Sequence, residues 1–227
     1  MTKILVIDDE PSIVNLVMAY LKPEGYEVLT AMDGLSGLKA ARALKPDLVI
    51  LDIMLPGMDG IELLSRLRRE SEVYVILLTA KTEETDKIIG LSVGADDYVT
   101  KPFSPRELTA RVKAALRRIQ TGTGSGSDMS VYSFRHLRMD VGARTVSVDD
   151  NPVELTAIEF DLLKALVENR GRVLSREQLL EKIWGGEYFG EQRVVDVHLG
   201  HVRQKLGQDD LIVTVRGVGY RFEDEPL

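Results

Sequence analysis

The sequence predicts two domains. A doubly wound α/β domain of (βα)5 type, with a parallel sheet, occupies residues 1–119, and an α+β winged helix-turn-helix domain occupies residues 131–227, with a flexible linker over 120–130. Three observations predict this. Strand-length apolar runs alternate five times with helical periodicity up to residue 119. A tract made only of threonine, glycine and serine follows, Thr121-Gly122-Thr123-Gly124-Ser125-Gly126-Ser127. Beyond it, short β-type segments give way to three helices and a terminal hairpin.

In the first domain the strands are expected near 3–7, 26–30, 48–51, 73–78 and 96–99, and the helices near 11–22, 34–44, 59–69, 83–91 and 104–119. Runs such as Leu48-Val49-Ile50-Leu51 lack polar alternation, as strands covered on both faces by helices do. Helix starts are marked by Asp59-x-x-Glu62 and by Ser104-Pro105-Arg106-Glu107, both of capping-box form, the second with proline at the first helical position. The linker tract has no apolar residue and cannot pack; about ten such residues span roughly 17 Å r.m.s.. In the second domain, strands near 132–140, 144–148 and 152–155 precede helices opened by Thr156-x-x-Glu159 and Ser175-x-x-Gln178. A third helix covers about 191–206, and Leu211–Arg216 pairs with Gly219–Phe222 in a hairpin with glycines at its turn.

Composition removes several function classes. With no cysteine there are no disulfides, no thiolate catalysis and no cysteine-based zinc sites. No apolar run approaches the ~18–20 residues of a membrane span, and no signal peptide precedes the strand Lys3-Ile4-Leu5-Val6-Ile7, so the expectation is a cytoplasmic protein with no membrane association. Of the 29 basic and 36 acidic residues, 16 and 18 fall in residues 1–120, leaving 13 and 18 in residues 121–227. The C-terminal part is therefore acidic, where a nucleic-acid-binding domain usually has a basic footprint.

The chemistry-bearing residues of the first domain stand at strand ends. Strand one ends in Asp8-Asp9-Glu10, strand three at Asp52, strand four at Thr79 and strand five at Lys101-Pro102. In a doubly wound sheet these ends share one edge, where ligands bind. Three crowded carboxylates repel one another unless a cation neutralises them. Hard oxygen donors without His or Cys suit Mg2+. That ion would screen an incoming phosphoryl group and leave Asp52 as nucleophile, with Lys101 and Thr79 on the phosphoryl oxygens. Singly, each of these residues reads more simply as a solvated strand end; the constellation is what is specific.

Residues 1–119 resemble the receiver domains of two-component response regulators. The resemblance is carried by Asp8-Asp9-Glu10, Leu51-Asp52-Ile53-Met54-Leu55-Pro56-Gly57-Met58-Asp59-Gly60, Leu78-Thr79-Ala80 and Lys101-Pro102-Phe103. It implies a flavodoxin-like fold, Asp52 as phospho-acceptor for a histidine kinase, Asp8, Asp9, Asp52 and the Met54 carbonyl as Mg2+ ligands, and Thr79, Tyr98 and Lys101 as the switch. The chain would then be no enzyme beyond slow self-catalysed phosphorylation and dephosphorylation, with Met54 and Lys81 tuning phosphate lifetime. Tyr98 is expected to turn inward once phosphate draws Thr79 aside. In the OmpR/PhoB subfamily, which this chain resembles, the face made by the fourth helix, fifth strand and fifth helix forms a symmetric dimer. The matching cross-dimer pairs would be Lys87–Glu107, Asp97–Arg111 and Asp96–Arg118, with Ile88 and Leu91 as the apolar component. Exposed ion pairs contribute only ~0–1 kcal/mol each, so such a homodimer would form on phosphorylation.

Residues 131–223 resemble the effector domain of the same subfamily through Leu155-Thr156-Ala157-Ile158-Glu159-Phe160, Leu174-Ser175-Arg176-Glu177-Gln178-Leu179, Val194-Val195-Asp196-Val197-His198-Leu199 and Arg216-Gly217-Val218-Gly219-Tyr220. In the third helix Val195, Leu199, Val202 and Leu206 form a core stripe. By the resemblance Arg193, His198, His201 and Arg203 face double-stranded promoter DNA, with Trp184, Thr214 and Tyr220 near its backbone and Arg216 in the wing; RNA polymerase is the implied partner. Where relatives often have Thr, Arg and Arg, this chain has Val194, Gly200 and His201, and Gly200 costs ~1 kcal/mol of helix propensity relative to Ala. Fewer cations release fewer counterions, so binding is expected to depend on dimerisation. Two rival readings follow. One is a receiver that signals through protein contacts, its winged helix binding DNA weakly or not at all. The other is an aspartyl-phosphate phosphatase of haloacid-dehalogenase type, disfavoured because Met54 stands where that family needs a second Asp.

Overall fold

The computed structural model of the protein describes residues 1–80, 90–121, 131–185 and 192–226, the side chains of 118–121 and 209 excepted. The helix expected over 83–91 lies almost wholly outside the described residues, as do Lys81, Lys87, Ile88, residues 122–130 and the side chain of Arg118; residues 90–92 are helical. The chain divides into two compact units, 1–116 and 117–227.

In the first unit β1 (Lys3–Ile7), β2 (Glu27–Ala31), β3 (Leu48–Asp52), β4 (Tyr74–Ala80) and β5 (Asp97–Lys101) form one parallel sheet in the order β2-β1-β3-β4-β5. β3 is buried at every position and β4 at all but its last, the continuous burial that apolar runs without alternation require. Around the sheet run α1 (Pro11–Leu21), α2 (Gly34–Leu44), α3 (Gly60–Arg68) and α4 (Pro105–Thr121), which continues two residues past the boundary expected at 119. The Asp59 side chain caps α3 by accepting from the Glu62 amide at 2.7 Å. Gly60 is required there, because a Cβ would collide with the Asp52 carbonyl. The loop after β3 thus folds back tightly behind Asp52.

One buried polar cluster closes the opposite end of the sheet. Arg68 donates to the carbonyls of Gly94 and Val73 at 2.7 and 2.6 Å and to the Asp96 carboxylate at 2.6 Å. Asp96, 1% exposed, also accepts from the Val75 amide at 2.8 Å. A buried pair is tolerable only when its remaining donors and lone pairs are satisfied in this way.

In the second unit β6 (Val131–Ser133), β7 (Leu137–Asp140), β8 (Thr145–Val148) and β9 (Asn151–Val153) make a four-stranded antiparallel sheet. The single segment expected over 132–140 is two strands. The Asp224 carboxylate, 87 residues away, accepts the Leu137 amide at 3.0 Å and the His136 amide at 3.0 Å and so holds the turn between them. α5 (Ala157–Glu168), α6 (Arg176–Trp184) and α7 (Arg193–Leu206) follow, then the hairpin β11 (Ile212–Val215) and β12 (Gly219–Phe222). Both expected capping boxes form: Thr156 with Glu159, and Ser175 with Gln178. A two-residue strand, β10 (Leu174–Ser175), pairs with β12; Gly219 permits it, because any side chain there would strike the Leu174 carbonyl.

Removing the Arg68 guanidinium leaves Asp96 as a buried, uncompensated charge and strands two carbonyls. Arg68→Met should therefore cost about 3–5 kcal/mol in urea unfolding followed by circular dichroism. Fluorescence of the single tryptophan, Trp184, reports the second unit and should show its usual transition. A loss below ~1 kcal/mol would show that water replaces the guanidinium.

Candidate functional site

The parallel register sets four strand ends side by side: Ile7 opposite Leu51, Asp52 opposite Leu78, and Ala80 opposite Lys101. Asp8, Asp9 and Asp52 thereby converge, with carboxylate oxygens within 4.8 Å of one another. Asp8 is 0% and Asp52 3% exposed, while Asp9 opens to solvent. Lys101 Nζ stands among them, 2.9 Å from Asp8 Oδ2, 3.2 Å from Asp52 Oδ2 and 3.3 Å from Glu10 Oε1. Asp8 Oδ1 accepts from the Glu10 amide at 2.9 Å, whereas the buried Oδ2 has the ammonium contact but no well-aligned hydrogen bond.

The electrostatics follow from this crowding. Burial raises the Asp52 pKa above the ordinary carboxylate value; Lys101 opposes the rise and Asp8 adds to it. Burial alone would lower the Lys101 pKa, yet its close contact with the Asp8 carboxylate and the charge of Asp52 hold it above the usual lysine value. Beside them Thr79 is buried and its hydroxyl donates to the Ala80 carbonyl at 3.2 Å. Met54, by contrast, is 70% exposed at the rim.

The second unit presents α7 and the β11–β12 hairpin as its candidate nucleic-acid surface. Along α7, Val194, Val195, His198, Leu199, Val202 and Leu206 face inward. Arg193, Gly200 and Gln204 are exposed and Val197 half-buried, so these four form the outer stripe at i, i+4, i+7 and i+11. Arg216, Gly217 and Val218 are exposed at the hairpin tip.

Comparison with known proteins decides the family. Residues 4–113 match the response regulator receiver domain, and residues 150–222 match the C-terminal domain of transcriptional regulatory proteins. The chain is 44% identical over 227 residues to the sensory transduction protein RegX3 of Mycolicibacterium smegmatis, covering 98% of this chain and 100% of that one. It is 45% identical to the alkaline phosphatase synthesis transcriptional regulatory protein PhoP of Bacillus subtilis, covering 99% and 98%. Among solved structures, the response regulator DrrB, a Thermotoga maritima OmpR/PhoB homolog, aligns with a TM-score of 0.52 at 37% identity over 98% of this chain and 99% of that one. The chain is a response regulator of the OmpR/PhoB subfamily. As such it is a phosphorylation-dependent, DNA-binding regulator of transcription that works with a histidine kinase. No helix among the described residues is long and apolar enough to cross a membrane.

Several expected site residues of this response regulator are placed differently. In the receiver, Tyr98 is buried, at 5% exposure. On the expected dimer face, Leu91 is buried within the unit, and Asp96 is held by Arg68. Within the chain Arg111 pairs with Asp97 at 3.0 Å and, one turn along its own helix, with Glu107 at 2.8 Å. In the effector, His198 is 2% exposed with its ring 5.7 Å from that of Trp184, itself buried, so neither lies on the outer surface. His201 lies on the flank of α7, 6.2 Å from the His198 ring and 3.8 Å from Glu159 Oε1. Lys205 is tied to Glu159 Oε2 at 2.7 Å. Arg203 donates to the Ile212 carbonyl at 2.9 and 2.6 Å and to Thr214 Oγ1 at 2.7 Å, fastening α7 to the hairpin. Arg193, Thr214 and Arg216 are exposed.

A clasp absent from the sequence reading joins α6, α7 and the wing. Asp196 Oδ1 accepts from Arg176 Nε at 2.7 Å and from the Tyr220 hydroxyl at 2.6 Å, and the guanidinium groups of Arg176 and Arg203 lie 5.0 and 5.4 Å from the Tyr220 ring centroid. The spacing of Asp196 on the outer half of a helix gives no sign of this partner. Burial first, then the bond to Asp196, pushes the Tyr220 phenol up to about 12. The folded-state value lies above the unfolded one, so this stabilisation is complete below pH 10 and is lost as pH rises through 12. In a spectrophotometric titration one tyrosine should ionise near pH 12, and that late step should vanish in Tyr220→Phe. Superimposable titrations would remove Tyr220 from the clasp.

Proposed function

We propose that Asp52 is the phospho-acceptor and that its phosphorylation drives receiver dimerisation and hence promoter binding by the effector. The observation that carries this reading is the Lys101 ammonium within reach of Asp8, Glu10 and Asp52 at the strand ends. The cluster needs positive charge, and the lysine that supplies it stands beside the nucleophile. In the transfer, an Asp52 carboxylate oxygen attacks phosphorus as the P–N bond to the kinase histidine breaks, and the imidazole leaves. Lys101 then exchanges its contact with Asp52 for a phosphoryl oxygen, and Thr79 turns its hydroxyl from the Ala80 carbonyl toward another.

Asp8, Asp9, Asp52 and the Met54 carbonyl would hold Mg2+. The donors fit: all are oxygens, three converge within 4.8 Å, and buried Asp8 Oδ2 has a lone pair not used in a hydrogen bond. When bound, the ion neutralises the acidic cluster and the charge on the phosphoryl oxygens. Any chemistry beyond acceptance is limited to slow self-catalysed phosphorylation and dephosphorylation.

Residues 1–119 act as the receiver, 120–130 as the linker and 131–227 as the effector. The effector meets DNA through Arg193, Thr214 and Arg216, while His198, His201, Arg203, Trp184 and Tyr220 support that surface from behind or from its flank. The regulator works in the cytoplasm, with RNA polymerase as its transcription partner. Dimerisation uses Lys87, Ile88, Glu107 and Arg118 with Asp97 and Arg111. Because Asp97–Arg111 and Glu107–Arg111 already exist within one chain, a cross-dimer pair replaces an intrachain one and adds little.

Treated with acetyl phosphate and Mg2+, the wild type should gain one phosphoryl group by intact mass and become a dimer by light scattering. Asp52→Ala and an EDTA-treated sample should gain none. Equal labelling of Asp52→Ala would place the acceptor elsewhere. Glu107→Lys should keep the label and lose the dimer; Arg111→Glu is the poorer test, since it buries a third carboxylate beside Asp97 and Glu107.

A further inference from the structure

Glu10 is the N-cap of α1, where a side-chain oxygen ordinarily accepts from the free amides of the first turn. It makes no such bond. Its backbone amide instead donates to Asp8 Oδ1 at 2.9 Å, and its side-chain Oε1 accepts from Lys101 Nζ at 3.3 Å. The carboxylate is thus turned from its own helix toward the ammonium that also faces Asp8 and Asp52. The Glu10 side chain is 57% exposed and that of Asp52 4%, so Glu10 stands on the solvent side of the acceptor. In the function proposed above, on which the following rests, the ion neutralises Asp8, Asp9 and Asp52. Glu10 lies outside that convergent group. One ammonium shared among three carboxylates leaves negative charge over, and at Glu10 that charge borders the place where a phosphoryl group must arrive.

We propose that Glu10 is a specificity-determining residue for the phosphodonor: held beside the acceptor by Lys101, its carboxylate disfavours small dianionic acyl phosphates and reserves Asp52 for a donor carried on a protein. Repulsion between Glu10 and an incoming donor grows with the donor's charge. A phosphohistidine on a kinase brings a protein surface whose contacts offset that repulsion, whereas a free acyl phosphate brings none. The carboxylate does not touch phosphorus or the leaving group; it acts through charge alone, and Lys101 fixes where that charge sits.

The test follows labelling of the full chain by intact mass at saturating Mg2+ with two donors. Acetyl phosphate is a dianion at neutral pH, and phosphoramidate is a monoanion. The quantity compared is the ratio of their labelling efficiencies, each taken as the rate per donor concentration at low donor. In Glu10→Gln the ratio of acetyl phosphate to phosphoramidate should rise about threefold, the size of one exposed charge interaction. Glu10→Asp keeps the charge and should hold the wild-type ratio. High salt should shrink the difference between wild type and Glu10→Gln. A loss of fold at the site, or a weaker hold on the ion, would change both donors alike and leave the ratio where it was. A ratio unmoved in Glu10→Gln, or moved equally in Glu10→Asp, overturns the role of Glu10 while the labelling of Asp52 stands. Labelling of wild type by neither donor, or labelling that persists in Asp52→Ala, overturns the acceptor itself and this proposal with it.

Discussion

The receiver is organised around one electrostatic constraint, the neutralisation of three carboxylates brought together at the carboxyl edge of the sheet. Parallel register alone forces Asp8, Asp9 and Asp52 into one place, and two of the three are buried. Their mutual repulsion must be met by positive charge, and Lys101 stands against two of the three. That lysine belongs to the end of β5, the same strand that carries Asp97 and Tyr98. A change in what the ammonium touches is therefore a change in β5, and through Asp97 it reaches Arg111 and Glu107 on α4. In the proposed function the coupling path from phosphorylation to the α4 face would be short, because one strand holds both ends of it.

The effector obeys a different constraint: most of its well-placed cations are committed to holding it together. Arg176 and the Tyr220 hydroxyl share Asp196; Arg203 is spent on Ile212 and Thr214; Lys205 and the nearby His201 answer the buried Glu159. These contacts fix α7 against the wing on one side and against the N-terminus of α5 on the other. Among the described residues, these contacts hold α7 to the wing and to α5. The excess of acidic over basic residues in the C-terminal part points the same way.

How much of this was legible in the sequence depends on the range of the interaction. Strands β1, β3 and β4 were readable because burial on both faces needs continuous apolar runs, and the capping boxes at Thr156 and Ser175 because their partners lie three residues away. The acidic site was readable because strand ends in a parallel sheet must align. Contacts between distant segments were not. Nothing local shows that Asp224 ends β6 and opens β7, that Asp96 pairs with Arg68, or that a two-residue strand at Leu174 joins the wing. His198 looked like a surface residue because histidine is polar; only the position of Trp184 across the helix pair shows that it is core.

The two halves then explain each other's weakness. An interface whose ion pairs largely exchange intrachain for interchain contacts is marginal by itself, and a reading head with few outward cations binds a single half-site weakly. Neither defect matters when both act on one duplex. Two tethered effectors raise one another's effective concentration at adjacent half-sites, and the DNA in turn holds the receivers together. A strong dimer face or a strongly basic α7 would each bind without the other and would make occupancy insensitive to Asp52. In the function proposed for this chain, marginality in both units is what would allow one phosphoryl group, acting through Lys101 and β5, to decide whether the promoter is bound.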